Sequence, residues 1–126
     1  MTDWKAKAIA LADKIEANGH LTDPRWRAAV KAVPRHVFVP RFYDDDRNLV
    51  DGTDPEQQHR WLSTVYSDIP LVTRMTRVPD TDVDWFTSSS SMPSLMVGML
   101  EALAVADGHR VLEIGTGVRH AVAHDK

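Results

Sequence analysis

The stretch Arg110-Val111-Leu112-Glu113-Ile114-Gly115-Thr116-Gly117 decides how the rest of the chain is read. Arg110 to Ile114 carries a short apolar run interrupted by one acid, the pattern of a buried strand. Two glycines one residue apart follow. A strand that runs into a glycine turn ahead of a helix is how a doubly wound α/β sheet builds a nucleotide site. Gly115 allows the tight turn, and Gly117 lets the backbone come close to a ligand. Glu113, near the strand end, is placed to accept hydrogen bonds from a ligand's hydroxyl or amine groups. Only Val118 to Lys126 remain beyond the turn, and they do not read as the next half of such a unit.

The whole chain bounds the choice. Its 126 residues suffice for one domain with a real core, and 43% hydrophobic with 26% charged residues is a globular balance. A net charge of −3 gives no nucleic-acid footprint. With no cysteine, a disulfide scaffold and cysteine-based zinc sites are excluded. Lys5, Lys7, Asp13 and Lys14 interrupt the N-terminal apolar residues, so no signal peptide is read there. No apolar run is long enough to span a membrane. The default expectation is a cytoplasmic protein without a nucleic-acid or membrane partner.

Taken in order, residues 3–18 read as a helix with Trp4, Ala8, Leu11 and Ile15 on one face. Thr2 or Asp3 is placed to cap its start and Gly19 to end it. Such a stripe is ordinary for a helix packing on its own domain. Asp23 and Pro24 open a second helix carrying Trp26, Val30 and Val33, which Pro34 stops. Residues 35–40 then run extended between two prolines, and a lone histidine there, His36, reads as a surface or packing residue rather than a base.

Residues 41–56 hold Asp44, Asp45, Asp46, Asp51, Asp54 and Glu56 and read as a solvated acidic loop. A calcium loop starting at Asp44 would need glycine sixth and glutamate twelfth, where Leu49 and Pro55 stand. Asp54-Pro55 predicts a short helix through Trp61 to Tyr66. Ile69 to Val72 predicts a short strand or extended edge, with Pro70 keeping it off the centre of a sheet. Residues 74–86 read as a loop. Trp85 and Phe86 are expected to cover the core; the alternative is an aromatic wall of a substrate cleft. Five hydroxyl residues follow, Thr87 to Ser91. Ser91 is placed to cap a helix begun by Met92-Pro93 and carried on by Leu95, Met96, Met99, Leu100 and Leu103. Gly98 in that helix either permits a close helix–sheet contact or merely weakens it. The free N–H groups and positive dipole end of such a helix suit a carboxylate.

These segments together resemble the protein-L-isoaspartate O-methyltransferase family and its actinobacterial peptide-modifying relatives. Val111-Leu112-Glu113-Ile114-Gly115-Thr116-Gly117 resembles the first S-adenosylmethionine motif. Val33-Pro34-Arg35-His36-Val37-Phe38-Val39-Pro40 resembles the family's Val-Pro-Arg…Phe-Val-Pro segment, which there helps close the substrate cleft. Tyr66-Ser67-Asp68-Ile69-Pro70-Leu71 resembles its Tyr…Asp…Pro-Leu segment, and Ser89-Ser90-Ser91-Met92-Pro93 its Thr-x-Ser-x-Pro substrate loop. The order is also the family's.

The resemblance implies an S-adenosylmethionine-dependent carboxyl O-methyltransferase acting on a protein or peptide with an aspartyl or isoaspartyl carboxylate. It implies Glu113, Gly115, Thr116 and Gly117 as cofactor residues. Ser91 falls on the family's active-site serine and Ser89 on the threonine before it, both as acceptor-binding residues; neither would be a nucleophile. Met92 replaces the glutamine often found there. No metal is implied. The implied fold is α/β: an N-terminal helical region, then the first strand and glycine turn of a Rossmann-like methyltransferase sheet, incomplete at the C-terminus. The expected divisions are 1–86 for the helical and substrate-cleft region, 87–117 for the start of the methyltransferase domain, and 118–126 for an abnormal tail.

Two departures bear on activity. The family's third glycine falls on Arg119, and the dinucleotide pattern would place one at His120. Further βα units, each on the order of 30 residues, and a ribose-binding acid about 20 residues beyond the glycines would lie past Lys126. The expectation is therefore a truncated chain, with a catalytically inactive remnant, or a binding fragment completed by another chain, as the alternative. A nucleotide-binding module of another class would leave the upstream segments as coincidence. An unpaired strand edge at Val111 to Ile114 would promote self-association. His120 and His124 share a helical spacing, but no third ligand or intervening glutamate accompanies them.

Overall fold

A computed structural model describes residues 3–117. In chain order these form α1 (Trp4–Ala17), α2 (Pro24–Ala32), α3 (Arg35–Phe38), β1 (Arg41–Tyr43), β2 (Leu49–Asp51), α4 (Gln58–Val65), β3 (Leu71–Arg77), β4 (Asp84–Ser90) and α5 (Pro93–Leu103). The fold is mixed α/β. Its sheet has four strands in the order β2-β1-β3-β4, each neighbouring pair antiparallel. No helix among the described residues is long and apolar enough to cross a membrane.

The first two helices follow from local signals. Ala8, Leu11, Ala12 and Ile15 are the buried face of α1. Gly19, at φ 82°, ends the helix: its N–H donates to the Glu16 carbonyl and that of His20 to the Ile15 carbonyl. This paired closure depends on a left-handed residue, which glycine adopts without strain. At the other end Asp3 occupies the cap position at φ 42° without a side-chain cap hydrogen bond, so it does not cap as expected; Thr2 lies outside the described residues. Asp23 does cap α2, accepting from the Arg25 N–H at 2.8 Å, with Pro24 in the first turn.

The middle of the chain departs from its sequence reading. Residues 35–38 coil into a helical turn rather than running extended. The acidic segment is a hairpin, not a loop. Phe42 faces Val50 across it and both are buried. The aspartates that suggested a loop make its turn: Asp44 Oδ1 accepts the N–H groups of Asp46 and Asn48, each at 2.9 Å. Arg47 takes the left-handed conformation at φ 64°. An aspartate folding back on the next amides is a turn device, so its polarity says nothing against strands on either side.

Residues 74–86 likewise supply most of a second hairpin. β3 pairs with β4 from Leu71 opposite Ser90 to Arg77 opposite Asp84. β3 lies inside the sheet, between β1 and β4. Pro70 therefore does not confine this segment to an edge: it stands just before the strand, where its missing N–H costs no ladder bond. Trp85 and Phe86 sit on the exposed outer strand at 65% and 58% exposure, so they do not cover the core. Side chains of neighbouring residues in a strand point to opposite faces, and this part of the hairpin is exposed on both.

One apolar cluster joins α1 and α2, the first hairpin, Trp61, Leu62 and Val65 of α4, Leu71 of β3 and Val97 of α5. Residues 110–114 add no strand. They have no strand partner among the described residues, Ile114 lies in a bend, and Leu112 and Ile114 are 84% and 88% exposed. A strand exists only as one side of a pairing, and the four described strands pair with one another.

Candidate functional site

Three segments converge at the start of α5. β4 ends at Ser90, which is buried, while Ser89 and Ser91 on either side are exposed. Met92 is the residue that precedes the helix, and Pro93 occupies its first turn. Ser91 is thus not the cap. The partner of the first turn comes from elsewhere in the chain: Asp68 Oδ1 accepts the Ser94 N–H at 2.8 Å. A carboxylate against a helix N-terminus satisfies an amide that the helix leaves open and complements its dipole. At the helix N-terminus that the sequence suggested for a ligand's carboxylate, one amide is thus taken by the protein's own aspartate.

Arg35 holds the other side of this corner. It is 1% exposed. Its Nε donates to the Val65 carbonyl at 2.8 Å, and Nη1 and Nη2 both reach the Ser91 carbonyl at 3.4 Å. Burial pushes its pKa down to about 10, so it remains a cation at neutral pH. Val65 is the last residue of α4, where a helix carries partial negative charge. His36 beside it is also buried, with Nδ1 2.8 Å from the Tyr66 hydroxyl. Sequence reading missed both roles. The signal available was the arginine lying between Pro34 and Pro40 in an apolar segment; its bonds to the Val65 and Ser91 carbonyls are to backbone, which leaves no mark in the sequence.

The glycine turn lies beside the serine segment. Gly115 and Gly117 adopt φ 73° and 60°, as a tight turn requires. A side chain built on Gly117 would have its first carbon 3.7 Å from Ser88 Oγ. Beyond its chain neighbours, no atom of the described residues lies within 4 Å of the corresponding point on Gly115. Glu113 is half-buried, and its Oε1 is shielded from solvent without a hydrogen-bond partner among the described residues. A shielded carboxylate oxygen favours a donor, so the residues fit a ligand that brings hydroxyl or amine groups. Thr116 is half-buried in the same turn. Arg119, His120 and His124 lie outside the described residues.

A groove of about 310 Å³ runs along α5 from the same corner, lined by Met92, Ser94, Leu95, Gly98 and Met99 among others. Gly98 opens onto it, with nothing within 4 Å of a would-be side chain, rather than permitting a close helix–sheet contact in the described structure. A second groove of about 440 Å³ lies between α2 and residues 105–109, with Trp26, Val105 and His109 among its lining residues. None of the serine-segment or glycine-turn residues lines it.

No family model matches the chain. It is 28% identical over 121 residues to Protein-L-isoaspartate O-methyltransferase 1 of Archaeoglobus fulgidus, covering 96% of this chain and 42% of that protein. It is 30% identical over 113 residues to Protein-L-isoaspartate O-methyltransferase 1 of Rhodopseudomonas palustris, covering 90% of this chain and 34% of that protein. Protein-L-isoaspartate O-methyltransferase 2 of A. fulgidus is 26% identical over 121 residues, with 96% and 42% covered. Over nearly its whole length the chain is similar to these three proteins, and it spans less than half of their length.

Proposed function

We propose that this chain carries the acceptor-binding corner and first cofactor motif of an S-adenosylmethionine-dependent carboxyl O-methyltransferase of the L-isoaspartate type. The observation that carries the reading is the approach of the glycine turn to the hydroxyl run: a side-chain carbon on Gly117 would lie 3.7 Å from Ser88 Oγ, one residue before Ser89. Glu113, Gly115, Thr116 and Gly117 would hold the cofactor, with the shielded Glu113 oxygen taking a hydroxyl or amine donor. S-adenosylmethionine, when bound, supplies an electrophilic methyl group.

Ser89 and Ser91 would bind and orient the acceptor carboxylate of a protein or peptide. Methyl transfer needs no nucleophile from the protein, because the carboxylate oxygen attacks directly; alignment accounts for most of the acceleration. Exposed serine hydroxyls beside a helix N-terminus suit that task, since they donate to an anion without competing for the methyl.

The test is calorimetric titration of the purified chain with S-adenosylhomocysteine, with circular dichroism on the same sample. Saturable binding by a folded chain, followed by methyl transfer to an isoaspartyl peptide, is the expected result. A folded chain that binds no S-adenosylhomocysteine would overturn the reading for this chain.

The second reading, a fragment completed by another polypeptide, is favoured by Leu112 and Ile114, which stand exposed on an unpaired segment, and by Leu95, Met99 and Leu103 exposed along α5. Contiguous exposed apolar residues mark an interaction surface. Light scattering of the purified chain tests it: self-association that Leu112→Ser and Ile114→Ser together abolish supports the reading, and a monomer unaffected by them opposes it.

A further inference from the structure

The three upstream segments that resemble the family lie far apart in the chain, yet side chains from the first two reach the backbone of the third and of the residue just after it. Arg35, from the first segment, reaches the Ser91 carbonyl in the third. Asp68, from the second, takes the Ser94 N–H just beyond it. The same Arg35 is anchored on the Val65 carbonyl, three residues before Asp68. We propose that Arg35 and Asp68 are positioning residues forming a clamp that fixes the backbone from Ser91 to Ser94, and with it the direction in which Ser89 and Ser91 face an acceptor carboxylate.

The chemistry of each member suits the task. A guanidinium presents several donors in one rigid plane, so one side chain spans two carbonyls from different elements. A lysine is a single point charge and cannot reproduce that span. Asp68 acts on the opposite polarity, taking an amide of the first turn of α5. One cation thus holds the carbonyl before the helix and one anion holds the amide within it. Ser89 and Ser91 remain exposed, so the clamp works from beneath the loop and leaves the hydroxyls to a ligand. The acceptor role of the clamp rests on the function proposed above; its existence does not.

The experiment uses the full chain with Asp68→Ala, Asp68→Asn and Arg35→Lys. Amide hydrogen exchange, read by mass spectrometry, compares peptides covering residues 91–97 with peptides covering α1. Loss of a helix cap loosens the first turn by about fivefold, so Asp68→Ala should accelerate exchange in 91–97 by about that factor and leave α1 unchanged. Asp68→Asn, which keeps an acceptor oxygen, should restore most of the protection. Arg35→Lys should behave as Asp68→Ala does. Unchanged exchange in 91–97, or equal acceleration in α1, overturns the clamp. With an isoaspartyl peptide as acceptor, Asp68→Ala should raise the peptide KM while S-adenosylhomocysteine binding stays the same. An unchanged KM overturns the acceptor role. If the unmodified chain transfers no methyl group, the functional reading and the acceptor role fall together, and the exchange data still decide the clamp.

Discussion

Nδ1 of His36 lies 2.8 Å from the hydroxyl of Tyr66, and the rings of Trp4 and Trp61 flank the imidazole at centroid distances of 5.5 and 5.8 Å. Arg35 is its buried neighbour in the chain, and among the described contacts no carboxylate compensates a charge on the imidazole. Burial holds the His36 pKa below the ordinary histidine range. The folded value is then below the unfolded value of about 6.5, so the unfolded chain binds the proton more readily. Stability is complete above about pH 6.5 and is lost as pH falls through the folded value.

The first prediction follows directly. The Tm should fall as the pH is lowered from about 7.5 to 5.5, a range bracketing the ordinary histidine pKa, and His36→Gln should flatten that fall. An equally steep fall in the variant would show that another group is responsible. Asp23, Asp44 and Asp51 do not interfere. Hydrogen bonds hold their pKa values down, from the Arg25 side chain, the Asn48 amide and the Thr53 amide in turn. Their contribution is present above about pH 4 and lost only in stronger acid. Tyr66→Phe should cost about 1–2 kcal/mol in denaturant unfolding, the value of a buried hydrogen bond whose partner is left unsatisfied.

Gly52 is required by its neighbour. A side chain there would place its first carbon 2.5 Å from Trp61 Cδ2 and Cε2. The indole has little freedom to retreat, because Nε1 donates to the Val39 carbonyl at 2.8 Å. Gly52→Ala should therefore destabilise by about 1–3 kcal/mol, the usual range for overpacking, measured by urea unfolding. A cost near zero would mean that the ring shifts freely.

The two tryptophans at 61 and 85 should differ sharply. Trp61 is buried in the core cluster and Trp85 is exposed. Trp61→Ala should cost about 3–5 kcal/mol, whereas Trp85→Ala should stay within about 0.5 kcal/mol. If Trp85 forms a wall of the acceptor cleft, its replacement would raise the peptide KM without lowering the Tm.

Glu101 ties α5 to the start of α2. Its Oε2 accepts the Thr22 N–H at 3.0 Å and the Asp23 N–H at 2.6 Å. Glu101→Ala leaves both amides without this partner and should cost about 1.5–3 kcal/mol, as hydrogen bonds to a charged group do. Glu101→Gln keeps an acceptor and should recover part of it. Equal losses in the two variants would point to side-chain packing instead.

Most of the helical half of the fold was legible in the sequence, the turn at Arg35–Phe38 excepted. The stripe of Ala8, Leu11 and Ile15, the Gly19 stop, the Asp23-Pro24 start and the helix beginning at Pro93 stand where the sequence puts them. The candidate site was legible only as segments: the serine run and the glycine turn could be named, but not that Gly117 would lie beside Ser88.

The sequence by itself determined the elements whose signals act within a turn or two of the chain: apolar spacing, the Asp23 cap, and glycine at positive φ. Tertiary structure alone decided the sheet, because Phe42 becomes a strand residue only by facing Val50 and Met75 only by facing Phe86. It also decided which residue serves the start of α5. Ser91 had the right chemistry and the right place in the sequence. Asp68, 26 residues from Ser94, holds the amide because the buried Arg35 fixes the end of α4 against the serine segment. A hydrogen bond needs a partner at the right distance in space, and for this site the fold supplied it by bringing the segment after α4 to the start of α5.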